Sequence, residues 1–109
     1  MSARTDKVAS IVLHRVAAEL QRLAPDVGVA CTITSVDVSP DMKHALLWVG
    51  VIGDEALRTT MLTRLDGLSG QLQRAVAEAM STKYSPRLAF RYDASGQYAQ
   101  HMGEVMRNL

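Results

Sequence analysis

The first apolar pattern along the chain has the period of a helix. From Thr5 to Leu23 the apolar side chains fall within about 140° of a helical wheel, and basic side chains occupy most of the opposite side. The members of this apolar stripe are Val8, Ala9, Val12, Leu13, Val16, Leu20 and Leu23. The spacing predicts an amphipathic helix. The segment Pro25-Asp26-Val27-Gly28 has turn chemistry and predicts its end.

Two runs with the period of a β-strand follow the predicted helix. They span Val29 to Val38 and Lys43 to Ile52. The alternation of the first run changes phase near Thr34-Ser35, which predicts one extra residue there, a β-bulge. The intervening Ser39-Pro40-Asp41-Met42 predicts a tight connection. Together the runs predict an antiparallel hairpin.

The second strand-like run is partly apolar on both faces. Ala45, Leu47, Val49 and Val51 share one face, and the other carries His44, Leu46, Trp48 and Ile52. Two interpretations follow for Trp48. The strand is central and Trp48 packs within the fold, or one face of the sheet is open and its aromatic side chain is available to a partner.

A second apolar stripe runs from residue 57 to residue 79. It follows Gly53-Asp54-Glu55, where Asp54 is the predicted N-cap of a helix. The stripe consists of Leu57, Met61, Leu65, Leu68, Leu72, Ala75, Val76 and Ala79. Its phase continues through Gly67-Leu68-Ser69-Gly70, a G-x-x-G spelling that KH domains use to bind a nucleic-acid backbone. A loop would reset the phase, so we expect a kinked helix pair instead of a KH clamp.

The last part of the chain predicts one strand and one helix. Leu88, Phe90 and Tyr92 alternate with Ala89 and Arg91 in a short strand from residue 87 to 92. Helical spacing then joins Tyr98, Met102, Val105, Met106 and Leu109. The predicted order is α-β-β-α-α-β-α, an α+β sandwich in which helices cover one face of a small three-stranded sheet.

Length and charge define one domain with an uneven charge distribution. The 109 residues fit a single domain over residues 1–109. The net charge is only +1, but residues 25–57 carry a local charge of −4 and residues 58–92 a local charge of +4. The chain is therefore not uniformly basic, yet a near-neutral chain with this distribution can present a basic face to phosphates.

The sequence offers little for catalysis or metal binding. Its single Cys31 cannot form an intramolecular disulfide, which favours a reducing cytoplasm, and it excludes a zinc site built on several thiolates. His14, His44 and His101 lie on three separate elements, and no nucleotide-binding glycine motif is present. We expect no enzyme activity, cofactor or small-molecule substrate. No membrane span or leader is expected, because no apolar run approaches about 20 residues.

Two long stretches resemble the ribosome-binding factor A family. VACTITSVDVSPDMKHALLWVGVIGDE resembles that family's central hairpin, and LDGLSGQLQRAVAEAMSTKYSPRLAFRYD resembles its helix-kink-helix and closing strand. The resemblance implies a type II KH-like fold in which an A-x-G kink replaces the KH loop. The matching residues are Leu68-Ser69-Gly70, so the glycine is kept and the alanine is not.

The resemblance also implies a function. It indicates a non-enzymatic factor that binds the immature small ribosomal subunit and assists late maturation and processing of its rRNA, notably in the cold. We expect a monomer that contacts phosphates more than bases. The predicted RNA-binding residues are Arg15, Arg22, Lys43, Arg64, Ser69, Gly70, Arg74 and Lys83. Two alternatives stay open: a protein-interaction module that docks through a sheet edge or the C-terminal helix, and a general single-stranded RNA-binding KH-like domain.

Overall fold

The described residues form four helices and one three-stranded sheet. The computed structural model describes residues 3–80 and 85–94. The elements are α1 (Ala3–Leu23), α2 (Pro25–Ala30), β1 (Cys31–Val38), β2 (His44–Val51), α3 (Glu55–Gly67), α4 (Ser69–Ala79) and β3 (Arg87–Tyr92). This is the predicted α+β class. The helix predicted beyond residue 97 lies outside the described residues.

The segment after α1 differs from the prediction. The first helix ends at Leu23 as expected, but Pro25 then begins the six-residue helix α2 where a simple turn was predicted. Proline is well tolerated at the first position of a helix, because the N–H it lacks would have no partner within the helix. Val27 of α2 is fully buried, so the short helix contributes to the core. The following strand consequently starts at Cys31, and Val29 lies on α2 with 73% of its surface exposed.

The sheet has the order β1-β2-β3, so β2 is the central strand. β1 and β2 form the predicted antiparallel hairpin, and their register shifts between Ile33 and Ser35, which confirms the predicted bulge. At the turn, Met42 adopts a left-handed backbone conformation with φ 61°. β3 pairs with β2 in parallel, from His44 opposite Arg87 to Val49 opposite Tyr92. Residues 52–86 therefore form the crossover between these two strands.

One face of the sheet packs against the helices. Ala45, Leu47 and Val49 of β2 are buried, as the alternation predicted for this face. They join one apolar cluster with residues of α1 to α4. The helical members of that cluster are Val8, Val12, Val16, Leu20, Val27, Met61, Leu65, Leu72 and Val76. The opposite face carries Leu46 and Trp48, both half-buried.

The helix pair α3–α4 is interrupted at one residue. Asp54 caps α3 as predicted, since its carboxylate accepts a hydrogen bond from the Leu57 N–H. At Leu68 the backbone stays in the right-handed helical region, and the Leu72 N–H donates to the Leu68 carbonyl at 3.0 Å. The predicted stripe is buried in its middle, whereas its end members Leu57 and Ala79 are exposed. This junction is a kinked helix pair, and no loop projects from it.

No helix in the described ranges is both long and apolar enough to cross a membrane. Within the same ranges, no group of three His, Cys, Asp or Glu side chains is placed to hold a metal ion.

Candidate nucleic-acid interface

A shallow groove lies where the first turn of α4 meets the start of β3. Its volume is about 370 Å³, and it is open to solvent on one side. Six residues line it: Ser69, Gly70, Gln73, Ser85, Arg87 and Leu88. Two of the predicted RNA-binding residues, Ser69 and Gly70, therefore belong to one concave surface. We call it the junction groove.

The side chain of Gln73 holds the two walls of the junction groove together. Its amide nitrogen donates to the Pro86 carbonyl at 2.7 Å and to the Ser85 hydroxyl at 3.2 Å. Its amide oxygen accepts from the Leu88 N–H at 2.9 Å. Gln73 thus satisfies backbone groups at the exposed edge of β3. This role was not predicted, although a polar residue beside the buried stripe of an amphipathic helix is a signal for such a contact.

Gly70 leaves the wall of the junction groove without a side chain. A Cβ atom built on Gly70 would meet no heavy atom within 4 Å, and the same holds for Gly67 on the other side of the kink. Neither glycine adopts a positive φ. The protein interior therefore does not require either glycine, and at Gly70 the open space faces the groove. A ligand backbone can approach closely there.

Three basic residues lie in or close to the junction groove along the chain or across the sheet. Arg87 lines it, and its N–H donates to the Lys43 carbonyl at 2.8 Å, so Lys43 lies beside it. Arg74 follows Gly70 by one helical turn on α4 and is exposed. In the described part of the chain, none of these three forms an ion pair. Their positive charge is therefore available to an anionic ligand.

Arg87 was not among the predicted RNA-binding residues. Its place at the start of a strand was predicted, but its position beside Lys43 follows from the parallel pairing of β3 with β2. The sequence alone does not fix that pairing, because a short closing strand can add to either edge of a hairpin.

The hairpin turn adds one carboxylate near Lys43. Asp41 accepts from the Ser39 hydroxyl at 2.6 Å and from the Lys43 N–H at 3.0 Å. These two hydrogen bonds lower the pKa of Asp41, and the positive charge of Lys43 acts in the same direction. The carboxylate is thus occupied in stabilising the turn and stays ionised near neutral pH.

Three of the predicted cations are held by carboxylates within the fold. Arg15 lies between α1 and α4, where its Nε donates to the Ala75 carbonyl at 3.1 Å and its NH2 group is 3.6 Å from both Glu19 and Glu78. Arg22 pairs with the same Glu19. Glu19 is buried and needs these partners.

Arg64 joins α3 to α2 through an ion pair with Asp26. The hydrogen bond from Arg64 lowers the pKa of the Asp26 carboxyl and raises the pKa of the guanidinium. Arg15, Arg22 and Arg64 thus have roles within the fold, and RNA contact by them stays a prediction. Lys83 lies outside the described residues.

Comparisons with known proteins agree on one family. A family model described as Ribosome-binding factor A matches residues 4–106. The Ribosome-binding factor A of Akkermansia muciniphila is 37% identical, and the match covers 100% of this chain and 86% of that protein. The protein of the same name from Thermomicrobium roseum is 28% identical over 99% of this chain and 84% of its own length.

Known structures of ribosome-binding factor A support the same fold. The crystal structure of ribosome-binding factor A from Thermus thermophilus matches with a TM-score of 0.69 and 22% identity, covering 81% of this chain and 94% of that one. A homology model of the Thermus factor, fitted into a cryo-EM map of its 30S complex, matches with a TM-score of 0.62 and 23% identity. It covers 79% of this chain and 91% of that one. These likenesses confirm the predicted KH-like fold.

The family model spans nearly the whole chain, and the Akkermansia relative is similar along its full length. The hairpin, the kinked helix pair and the closing strand that carried the resemblance all lie within the matched residues. The chain belongs to the ribosome-binding factor A family.

Proposed function

We propose that this chain is a ribosome assembly factor that binds the immature small ribosomal subunit. In this proposal it assists late maturation and processing of the small-subunit rRNA and carries out no catalytic step itself. Membership of the ribosome-binding factor A family supports the proposal, as does the 30S complex of the Thermus factor. A near-neutral chain must then present a local surface for rRNA.

The observation that carries the proposal is the set of free cations around the junction groove. Lys43, Arg74 and Arg87 are exposed, and in the described ranges none is neutralised by a carboxylate. Phosphates are the natural ligands of such groups, and Arg binds them in bidentate geometry. The bare backbone at Gly70 allows a sugar-phosphate chain to enter between them.

The groove is preorganised for this task. Gln73 fixes α4 to β3 through three hydrogen bonds, so the cations on the two elements keep their relative positions before RNA binds. Binding then costs little ordering of the protein. Contacts of this kind recognise the path of a folded rRNA backbone more than its base sequence. The factor can thereby hold an rRNA segment in place while other components act on it.

Co-sedimentation with small ribosomal subunits, mature and precursor, across a salt series tests this proposal. We expect association with the precursor that weakens steeply as salt rises, because phosphate contacts release counterions. Replacing Lys43 or Arg87 by Gln should each lower the salt slope by about one unit. Lys7→Gln is the matched control, since Lys7 is an exposed cation on α1 outside the groove.

Each alternative predicts a different outcome of the same assay. Absence of association with either form of the subunit would refute the proposal. Binding that is insensitive to salt would instead favour a protein-interaction module. Equal affinity for short unstructured RNA and for subunits would favour a general single-stranded RNA binder.

The proposal includes a monomeric protein of the cytoplasm, where ribosomes are assembled. Light scattering after size-exclusion chromatography tests the first part. A mass near twice 11.9 kDa would contradict it.

A further inference from the structure

The sheet has a second face, turned away from the helices, of which the proposed function uses only Arg87. Its centre consists of Leu46 and Trp48 on β2, with Arg87, Ala89 and Arg91 on β3; we call it the outer sheet face. The pairing register places Leu46 next to Ala89 and Trp48 next to Arg91. All three β3 residues are exposed, and the two β2 residues are half-buried.

Trp48 is held in a fixed orientation on this face. Its indole N–H donates to the Asp37 carboxylate of β1 at 3.0 Å, so its polar group already has a partner. An aromatic ring that is anchored at its edge and half-buried by its neighbours offers its remaining surface as a flat apolar platform. Bases of single-stranded nucleic acid stack on platforms of this kind, whatever their sequence.

Two arginines lie on β3 beside the Trp48 ring. Arg87 and Arg91 point to the same side of β3, and four residues of strand separate their Cα atoms by about 13 Å. Ala89 between them is small and leaves that interval open. In the described part of the chain, neither Arg87 nor Arg91 forms an ion pair. The interval between Arg87 and Arg91 therefore has room for a nucleic-acid backbone of alternating phosphates and sugars.

The carboxylates on this face limit the path of a ligand. Asp37 lies on β1 and is engaged by the Trp48 indole, and Asp93 follows the end of β3, where it accepts from the Thr34 hydroxyl at 2.8 Å. The negative charge of both carboxylates thus lies towards β1, whereas the cations lie along β3. A polyanion is favoured with its phosphates over β3 and its bases over β2.

We propose that the outer sheet face binds an unpaired segment of RNA, with one base stacked on Trp48 and phosphates at Arg87 and Arg91. This inference rests on the proposed function, and it names single-stranded rRNA as the ligand class. Arg87 belongs both to this face and to the junction groove, so a strand that enters the groove can continue onto the sheet.

The single tryptophan of the chain makes the contact directly measurable. An unstructured RNA of about ten nucleotides, a length suited to such platforms, is titrated into the protein while tryptophan emission and the anisotropy of labelled RNA are followed. We expect quenching of the emission as the RNA binds. Loss of one stacked base in Trp48→Leu should weaken binding roughly five- to 150-fold.

Matched variants separate stacking from folding. Trp48→Phe keeps an aromatic ring for stacking but loses the indole N–H bond to Asp37, so by RNA anisotropy it should bind more tightly than Trp48→Leu. Arg91→Gln should weaken binding and lower the salt slope, whereas Arg4→Gln on α1 should not. Circular dichroism of each variant during heating shows which of them are folded at the assay temperature.

Two results would overturn the inference. One is RNA binding without any change in tryptophan emission; the other is a folded Trp48→Leu variant with wild-type affinity. Co-sedimentation distinguishes failure of this inference from failure of the proposed function. If wild type and Trp48→Leu both sediment with precursor subunits equally well, only the role of the outer sheet face is lost. If the wild type does not sediment, the assembly function itself fails.

Discussion

The two glycines at the α3–α4 junction form a natural matched pair for mutation. Gly67 ends α3 and Gly70 is the second residue of α4, so both lie in helical backbone on either side of Leu68. Only Gly70 lines the junction groove. The variants Gly67→Ala, Gly70→Ala and the double variant therefore separate the effect of glycine on stability from its effect on binding.

The structure gives the expected magnitude. Neither added methyl group meets another atom within 4 Å, so no packing is gained and no clash arises. Neither glycine has a positive φ, so alanine adopts the same backbone without strain. What remains is the lower conformational entropy of the unfolded chain, about 0.4–1 kcal/mol for each substitution. The double variant should raise the free energy of unfolding by about 1–2 kcal/mol.

Urea unfolding followed by circular dichroism measures this free energy, and thermal unfolding provides a second estimate. For a chain of this size, 1 kcal/mol corresponds to a change in Tm of about 4–8 °C. The same proteins are then compared for co-sedimentation with precursor subunits. We expect Gly70→Ala to weaken binding, since its methyl group projects into the groove, and Gly67→Ala to leave binding unchanged.

Either the unfolding measurement or the binding measurement can contradict these expectations. If the single variants destabilise the protein, the backbone at the junction is not the unstrained helix described above. If both variants bind subunits as the wild type does, close approach of RNA at Gly70 is wrong. If Gly67→Ala weakens subunit binding as much as Gly70→Ala does, the RNA contact does not lie at Gly70.

Three further results are expected. Gln73→Leu should lower the free energy of unfolding by about 1–3 kcal/mol, because backbone groups including the Leu88 N–H lose their partner; an unchanged urea midpoint would contradict this. The pKa values of Asp26 and Asp41 are lowered by folding, so their stabilisation is present above pH about 4 and is lost as pH falls through the folded-state values. The corresponding Asn variants should show a shallower loss of stability in acid titrations. Burial raises the pKa of the Cys31 thiol, so iodoacetamide should modify it slowly in the folded protein and rapidly in urea; equal rates would exclude its burial.

Patterns of local origin were predictable from the sequence. The alternation of apolar residues gave the hairpin and its inner face, and the phase change near Thr34 gave the bulge. Asp54 was identified as an N-cap because its carboxylate acts on a residue three positions away. In each case the physical cause lies within a few residues of its effect.

Features that depend on distant neighbours were missed. Asp26 is 38 residues from Arg64, so an exposed-looking cation could not be distinguished from one held by a carboxylate. The three hydrogen bonds of Gln73 reach residues 12 to 15 positions ahead, which requires the parallel pairing of β3 to be known. Helix α2 was taken for a turn because Pro-Asp-x-Gly suits both, and burial of Val27 decides between them.

Parallel pairing of β3 also has a consequence for the order of folding. β1 and β2 are joined by a short turn and close a small loop, whereas β3 pairs with β2 only after the 52–86 crossover is in place. Closing the longer loop costs more entropy, so we expect β3 to join late, after the rate-limiting barrier. Truncating Phe90 should then accelerate unfolding more than it slows folding. Arg87 and Arg91 lie on β3. Chains in which β3 has not yet paired with β2 would therefore not hold both arginines beside Trp48, and they would bind RNA poorly until folding ends.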